Sequence, residues 1–186
     1  RCRQHKKVLG SSIEERPTEV NARENIGHWE TDLLIGSKSG EDNVLLTLLE
    51  RKTRQLKAIR LPDKSAESVI AAFQSIRNSL GDHFSDIFKT ITTDNGSEFA
   101  KLSELEQDSR TKIYFAHPYS SWEKGSIENH NGLIRRFLRK GRRMDSYSAD
   151  DILAVELWAN ALPRKILGYQ TPDEAFEAEM DAIYAA

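Results

Sequence analysis

Three acidic residues lie in motifs where their carboxylates could act together. Asp32 lies within WETDLLI, Asp94 within TTDNGSEF, and Glu128 within SWEKGSIENHNGLIRR. Carboxylates that converge repel one another, and their pKa values rise unless a cation neutralises the group. Clustered oxygen ligands of this kind suit Mg²⁺ or Mn²⁺. The three residues therefore indicate a candidate divalent-metal site, provided that the fold brings them together.

Each acid also has a plain structural explanation. Asn95 and Gly96 form a strong turn signal, so Asp94 can simply open a turn. Asp32 lies in a strand with an alternating pattern, where it can occupy an exposed edge position. Glu128 can belong to a solvated helix face. The residue types alone do not decide between these explanations and catalysis.

The helix predicted to carry Glu128 has two different faces. At 100° per residue, Glu128 shares one side with Gly132, Arg135 and Arg139. The apolar residues cluster on another side: Leu133, Ile134, Phe137 and Leu138. This pattern predicts a long helix that runs to about Lys140, with a carboxylate and two arginines on one face.

The elements around these motifs predict an α/β domain. Three runs, HWETDLLIG, NVLLTLLERK and QLKAIRL, predict an antiparallel meander. A helix follows from Pro62 and Asp63 to a stop at Gly81. FKTITT predicts a fourth strand ending at Asp94, EFAKLSELEQDS a short helix, and KIYFAH a fifth strand. Two more helices follow the Glu128 helix. Strands and helices that alternate in this way indicate a sheet flanked by helices.

Composition limits the other possibilities. In this chain of 186 residues, 38% hydrophobic and 30% charged residues are typical of a single soluble domain. No apolar run is long enough to cross a membrane, so we expect a cytoplasmic protein without a membrane partner. The single cysteine, Cys2, excludes an internal disulfide. Residues 1–20 are polar and basic and predict an arm or linker, which leaves residues 21–186 as the domain.

The motifs together resemble the DDE transposases, specifically the bacterial insertion sequence 30 family. The resemblance is carried by IGHWETDLLIG, TTDNGSEF and YFAHPYSSWEKGSIENHNGLIRRFLRKG, with 33 residues between Asp94 and Glu128. It implies a ribonuclease H-like fold with a mixed five-stranded sheet flanked by helices. It also implies that Asp32, Asp94 and Glu128 are the catalytic residues and hold two Mg²⁺ or Mn²⁺ ions, with Asp32 bridging both.

The resemblance also implies DNA as the partner, both the transposon ends and the target. We expect a homodimer or higher oligomer on DNA, in the nucleoid of the bacterial cytoplasm. Lys124, Arg135 and Arg139 are candidates for phosphate contacts. The segment RRFLRKGRR, residues 135–143, is strongly basic although the net charge of the chain is −2.

Four further residues are candidates for contact with DNA, each with an alternative. Asn95 can orient a metal-bound water or supply the turn after Asp94. His117, Tyr119 and Trp122 surround a loop that can stack on unpaired bases near a cleaved end. The same side chains can equally serve as packing anchors.

The chemistry that the resemblance implies has two steps. Water first releases a 3′-hydroxyl at the end of the element, and that hydroxyl then attacks another DNA phosphodiester. Two other functions remain open on the sequence: a ribonuclease H-like nuclease without strand transfer, and a catalytically silent DNA-binding or dimerisation module.

Overall fold

A mixed six-stranded sheet forms the centre of the fold. The computed structural model describes residues 9–37, 41–117 and 121–186, with the backbone alone at residues 121 and 122. Within them the strands are β1 (Ser11–Ser12), β2 (His28–Ile35), β3 (Val44–Glu50), β4 (Leu56–Leu61), β5 (Thr90–Thr93) and β6 (Lys112–Phe115). Their order in the sheet is β1-β6-β5-β2-β3-β4.

Helices cover both faces of this sheet. The α-helices of the described residues are α1 (Glu19–Ala22), α2 (Ala66–Leu80), α3 (Phe84–Ile87), α4 (Gly125–Ile134), α5 (Ala149–Asn160) and α6 (Pro172–Tyr184). Short 3₁₀ helices occur at Ile13–Glu15, Gly81–His83, Ser97–Phe99, Leu102–Glu106, Ser121–Lys124, Met144–Ser146 and Lys165–Leu167. None of the helices in these parts of the chain is long and apolar enough to cross a bilayer.

The strand pairing places the two aspartate-bearing segments side by side. β2, β3 and β4 form the predicted antiparallel meander, with Asp32 opposite Thr47. β5 pairs with β2 in the parallel direction, with Trp29 opposite Ile91, and β6 continues parallel to β5. Parallel neighbours require a crossover, which α2 and α3 supply between β4 and β5. The five predicted strands and the helical connection between β4 and β5 are confirmed.

Alternation along the strands separates two apolar cores. On one face, α2, α3 and α6 cover a core that includes Trp29, Leu46, Leu48, Phe73 and Ile91. On the other face, α4 and α5 cover a second core that includes Leu34, Leu45, Leu49, Ile127 and Ile134. Successive side chains of a strand point to opposite faces, so Leu45 and Leu46 enter different cores. The face that holds Leu34 is also the face of Asp32.

The sixth strand, β1, comes from the segment predicted as an arm. Ser11 and Ser12 pair in parallel with Tyr114 and Phe115 at the free edge of β6. Val20, on α1, is completely buried. The described part of the predicted arm therefore packs on the domain. The sequence did not indicate this strand, because two serines have no apolar pattern. Their extended conformation depends on pairing with the edge of β6. The boundary at residue 20 stays a prediction.

Two predicted helices differ from the structure. The helix of Glu128 was expected to reach Lys140, but α4 ends at Ile134. There the backbone tightens: Arg136 N–H donates to Leu133 O and Phe137 N–H to Ile134 O, both with the i to i+3 spacing of a 3₁₀ turn. The helix predicted over EFAKLSELEQDS is instead the two 3₁₀ helices at Ser97–Phe99 and Leu102–Glu106.

Candidate active site at the Asp32 and Asp94 strands

Asp32 and Asp94 lie at matching levels of two neighbouring strands. In the parallel pairing of β2 with β5, Glu30 lies opposite Thr92. Asp32 is two residues further along β2, and Asp94 directly follows the last residue of β5. Ligand-binding side chains commonly lie at the carboxyl ends of strands in α/β sheets. The sheet therefore brings together two acids that are separated by more than sixty residues in sequence.

The protein binds one oxygen of each aspartate and leaves the other oxygen directed to a common point. Asn131 Nδ2 donates to Asp32 Oδ2 at 2.8 Å. The backbone N–H of Gly96 donates to Asp94 Oδ1 at 2.9 Å. The remaining oxygens, Asp32 Oδ1 and Asp94 Oδ2, lie 3.5 Å and 3.7 Å from the ammonium nitrogen of Lys124. Asp94 thus opens a turn and faces Lys124 at the same time.

Lys124 is the cation shared by the two acids. Its side chain is only 4% exposed, and its ammonium also donates to the carbonyl oxygen of Thr31 at 3.3 Å. A buried ammonium requires such partners, because desolvation without them is costly. Burial raises the pKa of Asp32, the ammonium of Lys124 lowers it, and the charge of Asp94 raises it further. Contact of Lys124 with a DNA phosphate stays a prediction, since its ammonium here faces the carboxylates.

Glu128 is not gathered with the other two acids in this structure. It lies in the first turn of α4, and its side chain is exposed. Over residues 9–37, 41–117 and 121–186, no three His, Cys, Asp or Glu side chains are close enough to hold a metal ion. The helix itself, however, is attached to β2 on both sides of Glu128, through Ile127 and Asn131.

A buried ion pair that sequence reasoning missed supports this attachment. Glu30 has no exposed surface, accepts a hydrogen bond from the backbone N–H of Ile127 at 2.8 Å, and forms a salt bridge with Arg51. Arg51 also donates to Val20 O at 3.2 Å, and burial lowers its pKa. The sequence contained a signal for this ion pair. Alternation places Glu30 on the same face as Asp32, and an acid in a buried strand requires a partner.

The two arginines predicted to contact phosphate lie just beyond α4. The guanidinium of Arg135 donates to Ile35 O at 2.8 Å and to Leu138 O at 3.3 Å, and burial lowers its pKa. The side chain of Arg139 is exposed, and its backbone N–H donates to the hydroxyl of Tyr147 at 3.0 Å. Arg135 is the C-cap residue of α4, and its backbone N–H still donates to Asn131 O. Since α4 ends at Ile134, Arg139 does not continue the helical face of Glu128 as predicted.

Of the predicted loop residues, His117 and Asn95 are described. Glu123 accepts from the backbone N–H of His117 at 2.8 Å and lies 2.8 Å from its ring Nδ1, and this contact raises the pKa of His117. Asn95 Oδ1 accepts from the backbone N–H of Leu9 at 2.9 Å. Tyr119 and the side chain of Trp122 lie outside the described residues. Contact of these four with DNA stays a prediction.

Comparison with known proteins places the chain in a family. Residues 22–121 match the integrase core domain family, and the chain belongs to that family. The matched segment contains Asp32 and Asp94 and ends before Glu128.

Several transposases are similar to this chain. It is 40% identical, over 95% of its length, to the probable transposase for insertion-like sequence element IS1161 of Streptococcus salivarius, covering 49% of that protein. It is 36% identical, over 91% of its length, to transposase InsI for insertion sequence element IS30A of Escherichia coli strain K12, covering 43% of that protein. The chain thus spans less than half of these relatives. The resemblance to insertion sequence 30 transposases is confirmed.

A solved structure confirms the ribonuclease H-like fold. A chain of the simian T-cell lymphotropic virus intasome, solved in complex with the PP2A regulatory subunit B56 gamma, matches with a TM-score of 0.57 and 18% identity. The match covers 73% of this chain and 48% of the other. At 18% identity the likeness concerns the fold alone.

Proposed function

We propose that this chain is the catalytic domain of a DDE-type transposase, which cleaves transposon DNA ends and joins the freed 3′-hydroxyl to target DNA. The observation that carries the proposal is the convergence of Asp32 Oδ1 and Asp94 Oδ2 on one cation from neighbouring strands. Membership in the integrase core domain family and the similarity to transposases support the same reaction.

The donor set fits a divalent metal ion such as Mg²⁺ or Mn²⁺. Two carboxylate oxygens already face a single positive charge, and hard oxygen ligands are those that these ions prefer. Glu128 lies on the adjoining helix and is the proposed third ligand, which requires its exposed side chain to turn toward the two aspartates. When bound, a pair of such ions would activate the attacking oxygen and stabilise the leaving oxygen of a phosphodiester.

DNA is the proposed partner of this site. Residues 135–143 carry a concentrated positive charge close to α4, which suits a phosphate backbone. Arg135 and Arg139 are the proposed phosphate contacts, with Lys124 as a third. Because a transposon has two ends and each chain carries one candidate site, we expect a homodimer or higher oligomer on DNA.

A DNA cleavage assay with the variant Asp94→Asn tests the proposal. Asn can accept the Gly96 N–H and keep the turn, but it removes the charge that a metal ligand requires. We expect Mg²⁺-dependent DNA cleavage to be lost while the unfolding midpoint in chelator is retained. Asp82→Asn, at an exposed aspartate outside the site, is the matched control and should cleave normally.

The result has clear alternatives. Cleavage by Asp94→Asn at the normal rate would reduce Asp94 to a turn residue and reject the proposal. Offering a pre-cleaved end in the same assay separates the two enzyme activities, since a transposase joins that end to a second DNA and a nuclease only hydrolyses.

A further inference from the structure

Two hydrogen bonds attach α4 to β2, one on each side of Glu128. The backbone N–H of Ile127 donates to Glu30 Oε2 at 2.8 Å, and Asn131 Nδ2 donates to Asp32 Oδ2 at 2.8 Å. Residues 127 and 131 are one helical turn apart, so the bonds enclose the turn that contains Glu128. The helix is thereby held against the strand that carries Asp32.

The orientation of the Asn131 amide is determined by its neighbours. Its Oδ1 accepts from the hydroxyl of Thr47 at 3.0 Å, while its amino group faces the Asp32 carboxylate, which only accepts when ionised. Asn131 is 7% exposed, so water does not compete freely for these bonds. Thr47 lies on β3 directly opposite Asp32, and the amide of Asn131 therefore joins β2, β3 and α4.

Glu30 attaches the start of α4 to β2, as Asn131 does one turn later. The N-cap residue, Lys124, makes no side-chain capping bond, so the first turn of α4 lacks the usual local acceptor. The buried carboxylate of Glu30 supplies an acceptor from β2 instead, and its negative charge is favourable at a helix N-terminus.

We propose that Asn131 is a positioning residue that fixes both Asp32 and the Glu128 helix for metal binding. By binding Asp32 Oδ2, it leaves Oδ1 facing the ammonium of Lys124, which Asp94 Oδ2 also faces. The same bond holds the helix that carries Glu128 against the strand of Asp32. The inference rests on the proposed function, because it assumes that Asp32 and Glu128 share metal ions. Outer residues that orient metal ligands typically contribute 10–100-fold to affinity.

Measuring Mn²⁺ affinity by electron paramagnetic resonance tests the inference without any DNA reaction. Asn131→Ala should weaken Mn²⁺ binding by about tenfold. Asn129→Ala is the matched control, because it removes the same amide from an exposed position two residues away on the same helix. It should bind Mn²⁺ with the affinity of the unaltered chain. Unchanged affinity in Asn131→Ala would overturn the inference.

A second variant covers the case in which Asn131→Ala does not fold. Thr47→Val has nearly the same shape and removes the hydroxyl that orients the amide of Asn131, so we expect weaker Mn²⁺ binding in the same direction and by a smaller factor. Normal affinity in a folded Thr47→Val would contradict the inference.

Coupling to Glu128 distinguishes positioning of the helix from an effect on Asp32 alone. In a Glu128→Gln background, Asn131→Ala should lose affinity by a smaller factor than in the unaltered chain. Equal factors in the two backgrounds would overturn the claim that Asn131 acts through the helix. If the unaltered chain itself binds no Mn²⁺, the proposed function fails; if it binds and only the Asn131 results disagree, the inference alone fails.

Discussion

The ammonium nitrogen of Lys124 lies 3.5 Å from Oδ1 of Asp32, the oxygen that Asn131 does not bind. The same nitrogen lies 3.7 Å from Asp94 Oδ2. The lysine therefore faces the two oxygens that would hold a divalent ion. At a separation of about 4 Å and an effective dielectric constant of about 20, such an ion and an ammonium group repel by about 8 kcal/mol. An ion held by these two oxygens would therefore require the ammonium to move away.

Removal of this ammonium group is expected to increase the affinity of the site for a divalent ion. Lys124→Met keeps an apolar side chain of similar length in the buried position but eliminates the competing charge. We expect Mn²⁺ to bind about tenfold more tightly or better, and to raise the unfolding temperature by more than in the unaltered chain. Titration with Mn²⁺ measures both effects. Lys140→Met, at an exposed lysine, is the control. Weaker binding by Lys124→Met would show that the lysine assists the ion.

Arg135 is expected to contribute to DNA affinity through phosphate. Loss of one phosphate contact lowers the slope of log affinity against log salt by about 0.9, independent of DNA sequence. We expect Arg135→Ala to lower the slope in this way. The measurement is binding to a pre-cleaved DNA end at several salt concentrations, with protein that also carries Asp94→Asn so that it does not cleave.

Arg77→Ala is the matched control, because Arg77 lies on α2, away from α4, and its guanidinium pairs with Asp108. The same slope and affinity for the two arginine variants would mean that Arg135 only holds the carbonyl groups of Ile35 and Leu138.

The ion pair between Arg51 and Glu30 is expected to be important for stability. Arg51→Met leaves the fully buried Glu30 without its counter-charge. We expect this change to lower the free energy of unfolding by about 3–5 kcal/mol. Urea unfolding measures this loss. Arg110→Met breaks the exposed pair with Asp86 and should cost about 0–1 kcal/mol. Losses of similar size in both variants would contradict the assignment of a buried pair.

The contact of His117 with Glu123 predicts a dependence of stability on pH. The hydrogen bond and the charge of Glu123 raise the pKa of His117 above its usual value of 6.5. A raised pKa means that the folded state binds the proton more tightly than the unfolded state. The stabilisation is complete below pH 6.5 and is lost as the pH rises through the raised pKa.

Unfolding temperatures of the unaltered chain and of His117→Gln should therefore differ more at about pH 5.5 than at about pH 8.5. A difference that grows toward alkaline pH would have the wrong sign and would contradict the pairing.

Much of the site architecture could be predicted because it depends on strand periodicity. The alternating pattern of β2 placed Glu30, Asp32 and Leu34 on one face, and the structure has Leu34 in the core beneath α4. The order of strands and helices placed the segments of Asp32 and Asp94 in one sheet. These features arise from local hydrophobic patterns, which a sequence displays directly.

Other features could not be predicted because they depend on tertiary contacts. The helical count from Glu128 continued through Arg139, yet the backbone leaves the helix at Ile134, and no residue there is a helix breaker. Likewise, nothing in the sequence near Lys124 indicates that its ammonium lies against Asp32, which is 92 residues away. Distant pairings of this kind are specified by the packed sheet and helices together.

The attachment of α4 to β2 has a consequence for the synthesis of the protein. Its two hydrogen bonds join residues that are 97 and 99 positions apart. At a translation rate of about 5–20 residues per second, on the order of 5 to 20 s separate the emergence of Glu30 from that of Ile127. During that interval a nascent chain carries Asp32 without the helix that must hold it. A translation product that ends within this interval would therefore lack both hydrogen bonds between α4 and β2.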